Sequence, residues 1–267
     1  SYGIIACLLL GAIVATTDPA AVVGIFREIG APKRLTMLVE GESLLNDAAA
    51  IALFSMLAGM LMGGQEAAWG GVIVDFAVKF VGGGLVGAAM GLGVCLLFPL
   101  LQRFTTAEIT LSVALAYLSF FVGEHYFHVS GVVACVVAAL VVGSLGRTRM
   151  SPQTHERMEG AWGQLGFWAN SLIFLLAAML VPEIMRNTSW GELGLIVALY
   201  LAALVARFIV VGGLLQLLTA VGVAQHVDNR MKLVVMWGGM RGAISLALAL
   251  AVVENPNAPD DIRDFIA

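Results

Sequence analysis

Residues 2–26 read YGIIACLLLGAIVATTDPAAVVGIF. Apart from Thr16, Thr17 and Asp18 the run is apolar, and it exceeds the roughly 20 residues that carry an α-helix across a bilayer. Pro19 has no backbone donor and disfavours helix at the residue before it. The spacing therefore predicts a spanning helix interrupted at Thr17–Asp18. Backbone groups freed inside a membrane are tolerated where they line a cavity or meet a ligand, and an ionisable side chain at that depth marks a site by default. Taken alone, the string is equally well explained by a proline kink with Asp18 capping the following turn.

Seven further runs share this character. With the first, the segments are 2–26, 35–62, 71–100, 107–122, 129–145, 165–182, 193–221 and 233–253. The chain has 267 residues, 60% of them hydrophobic and 12% charged, with a mean hydropathy of +0.95. A soluble domain carries about 25% charged residues, and its interior could not hold so many apolar side chains. The runs are continuously apolar rather than alternating, which argues against a membrane β-barrel. The fold class expected is an all-α polytopic membrane protein of about eight transmembrane helices.

The connections support that count. Odd-numbered loops carry Arg27, Lys33, Arg34, Arg103, Arg147, Arg149, Arg157, Arg230 and Lys232; the even loops and the tail carry only Arg186 and Arg263. Basic residues concentrate on the cytoplasmic side, so the odd loops are expected inside and residue 1 outside. Missing or inventing one middle span would destroy the alternation. No long basic patch points to nucleic acid. Ser1 is followed at once by apolar residues with no cleavage-like site, which does not read as a signal peptide; the chain is expected to be a piece with spans missing at both ends. Cys7, Cys95 and Cys135 lie inside apolar runs without metal-ligand spacing and read as packing residues. Gly82, Gly83, Gly84, Gly87, Gly91 and Gly93 recur at spacings that let helices approach closely; no strand–turn–helix context makes them a phosphate loop. His125 and His128 are expected in an outer loop, and His155 and His226 in cytoplasmic loops, as solvated side chains.

Removing the loops leaves Asp18, Glu42, Asp47, Asp75, Lys79, Arg207 and Arg241 at membrane depth, with Glu40 a turn nearer the cytoplasmic end. Asp75 and Lys79 are four apart and read as a helical ion pair. The second run contains Gly41-Glu42-Ser43-Leu44-Leu45-Asn46-Asp47-Ala48. At about 100° per residue, Glu42, Ser43, Asn46 and Asp47 fall within an arc of roughly 140°. Two carboxyls, a hydroxyl and an amide on one face are hard donors, suited to a small alkali cation or a proton. The eighth run holds Trp237-Gly238-Gly239-Met240-Arg241-Gly242-Ala243, a weak helix expected to break. Two interrupted spans crossing near the midplane are a transporter feature. Arg241 and the positive helix ends there could balance Asp18, and Arg207 requires a carboxylate partner.

The strings TDPAAVVGIFREIGAP, VEGESLLNDAAAIALF and WGGMRGAISLALAL resemble those of the cation/proton antiporters that include NhaP-type bacterial proteins and the animal sodium/hydrogen exchangers. SGVVACVVAALVVG and NSLIFLLAAMLV follow the same order, so the resemblance covers nearly the whole chain. It implies a core bundle with two crossed, discontinuous helices and a separate dimerisation bundle against which the core moves. Asp47 would hold either cation or proton, with Asn46 beside it as in the electroneutral branch. Sodium would be held at Asp47, Ser43, the Thr17 carbonyl and Asp18. Glu42 would pair with Arg207, and Arg241 would support the crossing.

The function expected is secondary exchange of protons for monovalent cations (sodium, with lithium or potassium as further cargo), with no cofactor and with a homodimer in the full-length parent. A potassium/proton antiporter and a monovalent cation channel are the alternatives. A channel filter needs repeated rings of carbonyls or charges, whereas one compact acidic face suits a closed site. An aspartyl protease built on Asp18 and Asp47 lacks a substrate-binding feature, so no enzyme is expected.

Overall fold

The structure, a computed structural model, describes residues 3–63, 69–101, 104–150, 152–185, 190–214, 216, 219, 228–237, 239, 242–256, 258–259, 262–263 and 266. Arg103, Arg186, His226 and Arg241 lie outside the described residues. Among those described, the regular elements are all helical. In chain order they are α1 (Ile4–Ala15), α2 (Ala20–Glu28), α3 (Lys33–Gly63), α4 (Trp69–Leu101), α5 (Thr105–Phe121), α6 (Gly131–Leu145), α7 (Pro152–Met185), α8 (Trp190–Ile209), α9 (Asn229–Trp237) and α10 (Ala243–Val253). The chain is a polytopic all-α membrane protein. Lys33–Leu61, Ile73–Leu101, Thr105–Tyr126 and Gly194–Gly213 are each long and apolar enough to cross a bilayer. Leu85, Leu100, Phe167 and Phe208 are among many large apolar side chains left exposed, as a hydrocarbon solvent allows.

Both runs with helix-breaking chemistry are divided into two helices. The first divides into α1 and α2 around Thr16–Pro19, and the eighth into α9 and α10 between Trp237 and Ala243. Each half is too short to span alone, which is why α1 and α10 count only as short apolar helices.

The chain folds as two compact units. One comprises Ser1–Leu9 and Ala48–Leu172. Its centre is the packing of α4 on α6, where the glycines of α4 do the work expected of them. A β-carbon on Gly87 would come within 2.8 Å of the Ala134 backbone, and one on Gly91 within 2.9 Å of the Ala138 carbonyl oxygen. By contrast, one on Gly93 would meet nothing within 4 Å. Val94, Cys95, Phe98, Leu115, Ala138, Val142, Met150 and Met158 are buried together beside this seam. Helix α6 starts cleanly because Ser130 Oγ accepts the Val133 amide at 3.3 Å and Glu124 Oε1 accepts the Gly131 amide at 3.1 Å.

The second unit comprises Leu10–Asp47 and Ile173–Ala267. Helix α2 ends where Gly30 takes φ +67°, and the Ala31 amide bonds back to the Phe26 carbonyl at 2.8 Å. That is the glycine-dependent stop that closes many helices. It turns the chain into α3, so that Val23, Phe26, Leu35 and Val39 form one buried cluster with Val234 and Val235 of α9 packed on it.

Two placements differ from the sequence reading. His125 lies in a π-helical turn, Val122–Tyr126, that extends α5, and its ring stacks on Phe121 at 5.1 Å. His155 lies in α7, which begins well before residue 165, with Nε2 3.1 Å from Glu159. The apolar period alone could not extend these helices into polar sequence. Asp75 and Lys79 form an exposed pair at 2.8 Å.

Candidate cation and proton site

All of the described candidate residues fall within the second unit. Around Thr16–Pro19 the chain leaves helical geometry, and the freed backbone of Thr17 turns to α3. The Thr17 amide donates to Asp47 Oδ1 at 3.1 Å. The Thr17 carbonyl accepts the Ser43 hydroxyl in a short hydrogen bond. Ser43 Oγ also stands 3.4 Å from Asp47 Oδ2. Ser43 has one proton, and the shorter bond claims it, so Asp47 Oδ2 keeps lone pairs for a proton or a cation. Thr17 Oγ1 is buried and has no hydrogen-bond partner among the described residues. Thr17 and Ser43 are 6% and 5% exposed, so these groups meet largely out of solvent.

The polar face of α3 is divided into two pairs four residues apart. Ser43 and Asp47 face the first break. Glu42 and Asn46 make a separate chain: Asn46 Nδ2 donates to Glu42 Oε1 at 2.7 Å, and Arg207 Nη2 lies 2.7 Å from Glu42 Oε2. Asn46, grouped with the ion-binding residues by its position in the sequence, thus directs its amide to Glu42. The same guanidinium donates from Nε and Nη2 to the Val235 carbonyl at 3.1 and 2.9 Å, in the last turns of α9. A β-carbon on Gly239 would stand 2.5 Å from Arg207 Cζ, so glycine is what admits the arginine there. Arg207 ties α8, α3 and the end of α9 together through one rigid donor fork.

Asp18 lies at the meeting of the two breaks. Its side chain occupies the space that a β-carbon on Gly242, the residue preceding α10, would need. The N-terminus of α10 therefore approaches the Asp18 carboxyl, where a helix end favours negative charge.

Three residues escaped the sequence reading. Thr16 is 1% exposed, donates to the Ile13 carbonyl at 2.9 Å and makes a short contact with Ser245 Oγ. Both hydroxyls stand beside louder motif residues, and nothing in their spacing joins positions so distant. Glu108 is fully buried, and neither carboxyl oxygen has a partner among the described residues. It sits in the first turn of α5, where an apolar run is just beginning.

In an all-α membrane fold, two broken helices thus meet beside half-buried carboxylates, the arrangement in which discontinuous helices form ion sites in transporters. Comparison with known proteins agrees. The family model described as sodium/hydrogen exchanger, transmembrane, matches residues 1–262. The Na(+)/H(+) antiporter ApNhaP of Aphanothece halophytica is 36% identical over 263 residues, 97% of this chain and 49% of that protein. Sodium/hydrogen exchanger 8 of Arabidopsis thaliana is 30% identical over 256 residues, 93% of this chain and 33% of that protein. The structure of the sodium proton antiporter MjNhaP1 from Methanocaldococcus jannaschii superposes with a TM-score of 0.76 at 22% identity, covering 100% of this chain and 65% of that one. The chain belongs to the sodium/hydrogen exchanger family. It spans less than two thirds of the length of each of these relatives.

Proposed function

We propose that the protein containing this chain exchanges protons for monovalent cations, sodium first among them, by alternating access, with Asp47 carrying either ion or proton. The observation that carries this reading is the Asp47 carboxylate, held by the Thr17 amide and set beside Ser43, where the first span is broken. One carboxylate cannot hold a proton and a sodium ion together. If the site changes sides only when loaded, competition alone makes the two fluxes obligatory partners. Thr17, Ser43 and Asp18 are the residues of this break whose oxygens would join Asp47 around a small, hard cation. Asn46 is neutral and engaged by Glu42, so one proton exchanges for one cation and no net charge moves. The Glu42–Arg207 pair is structural. Arg241 supports the helix crossing. The protein is a transporter rather than an enzyme, needs no cofactor beyond its transported ions, acts as a homodimer and resides in the bacterial plasma membrane.

The test is a vesicle assay. The full-length protein is reconstituted with an acid-inside pH gradient, and sodium, lithium or potassium is added outside. Antiport predicts saturable, cation-driven collapse of the gradient, unchanged when the membrane potential is clamped at different values. A potential-driven current without proton coupling would establish the channel reading instead. Collapse by potassium alone would make it a potassium/proton antiporter.

A further inference from the structure

We infer that Thr16 and Ser245 form a positioning pair that holds the cation site by pinning one broken helix to the other. The inference deepens the antiport reading and rests on it. Thr16 is the first residue after α1, and Ser245 lies in the first turn of α10. They are 229 positions apart in the chain. A threonine hydroxyl has one proton. In Thr16 that proton goes to the Ile13 carbonyl, 2.9 Å away and buried. The contact with Ser245 therefore has a defined direction: Ser245 donates and Thr16 Oγ1 accepts. The relay runs from the start of α10 through Thr16 to a carbonyl at the end of α1, a group the helix terminus itself leaves unbonded.

The consequence falls on the next residue. Thr17 presents its amide to Asp47 and its carbonyl to Ser43, and both directions depend on where the chain leaves α1. Thr16 fixes that point only while its oxygen is held from both sides. Gly242 adds a second condition, since its bare α-carbon lets α10 come close enough to Asp18 for Ser245 to reach Thr16. The hydrogen bond of Ser245 goes to Thr16, which is not among the groups assigned to the ion. Ser245 acts on them through Thr16.

The experiment is a double-mutant cycle in the full-length protein, using Thr16→Val, Ser245→Ala and the double variant, with Thr16→Ser and Ser245→Thr as conservative controls. Initial rates of sodium-driven proton flux give KM and kcat at each pH. Losing one ordinary hydrogen bond should raise the sodium KM about five-fold in Ser245→Ala, and at least as much in Thr16→Val, which also loses its bond to Ile13, with kcat within about two-fold in Ser245→Ala. The double variant should be no worse than Thr16→Val, which by itself already loses the bond shared with Ser245. The conservative variants should fall near wild type. A wild-type KM in Ser245→Ala, or single effects that multiply in the double variant, would overturn the inference. A wild-type protein that shows no exchange would overturn the antiport reading instead. The pair would then still be read from the sodium concentration giving half-maximal protection against thermal unfolding. That concentration should shift about five-fold in Ser245→Ala, and no further in the double variant than in Thr16→Val.

Discussion

At the scale of single residues, the central fact is that α3 deals its polar face to two neighbours. Ser43 and Asp47 go to Thr17, while Glu42, which accepts from Asn46, goes to Arg207. The two pairs should fail differently. Ser43→Ala removes a donor to the Thr17 carbonyl and the hydroxyl oxygen beside Asp47, while keeping the Asp47 carboxyl in place. It should cost about 1 kcal/mol, or roughly a five-fold higher sodium KM, measured as initial proton flux, with the melting temperature nearly unchanged. Arg207→Ala should do the reverse. It strands Glu42 and leaves the Val235 carbonyl without its guanidinium donors, which should destabilise the protein by about 3 kcal/mol. Thermal unfolding of the purified protein would show this, and a double variant with Glu42→Gln should recover part of the loss. Most of the site was legible because charged and amide groups are conspicuous in apolar runs. The division of labour was not, since helical period assigns a face but not the partner that meets each side chain. Thr16 and Ser245 carry no charge to mark them, and Glu108 sat at the edge of a run where acids are commonplace.

At the scale of elements, proline and glycine decide where helices stop, break or touch. Pro19 stands at the first break and Gly239 and Gly242 at the second, Gly30 closes α2 in a left-handed turn, and Gly87 admits the backbone of α6. Gly87→Val should push α4 from α6 and cost about 1–3 kcal/mol, as overpacking does. Gly93→Ala, with open space beyond it, should stay within about 0.5 kcal/mol of wild type. Both would be read as melting temperatures, and equal effects would contradict the packing account. The breaks could be read from sequence because proline and clustered glycine act locally. The extension of α7 before residue 165 could not, since polar residues at a membrane surface continue a helix as readily as they end it.

At the scale of the whole molecule, nine basic residues against two predict the orientation. A cysteine introduced by Thr148→Cys should react with an impermeant thiol reagent only from the cytoplasmic side, and one from His128→Cys only from outside. The opposite pattern would invert the topology. Competition at one carboxylate also fixes a sign for pH. Lowering the pH fills Asp47 with protons, so the apparent sodium KM should rise as pH falls. The limiting rise is about tenfold per pH unit for one proton, and a steeper slope would reveal a second proton site. The most direct test of the account is the same proton-flux assay on wild type and Asp47→Asn side by side. The account predicts that sodium collapses the gradient in wild type and leaves it standing in Asp47→Asn, with both proteins equally folded. Equal collapse in both would contradict it, because the ion would then be carried by a group other than Asp47.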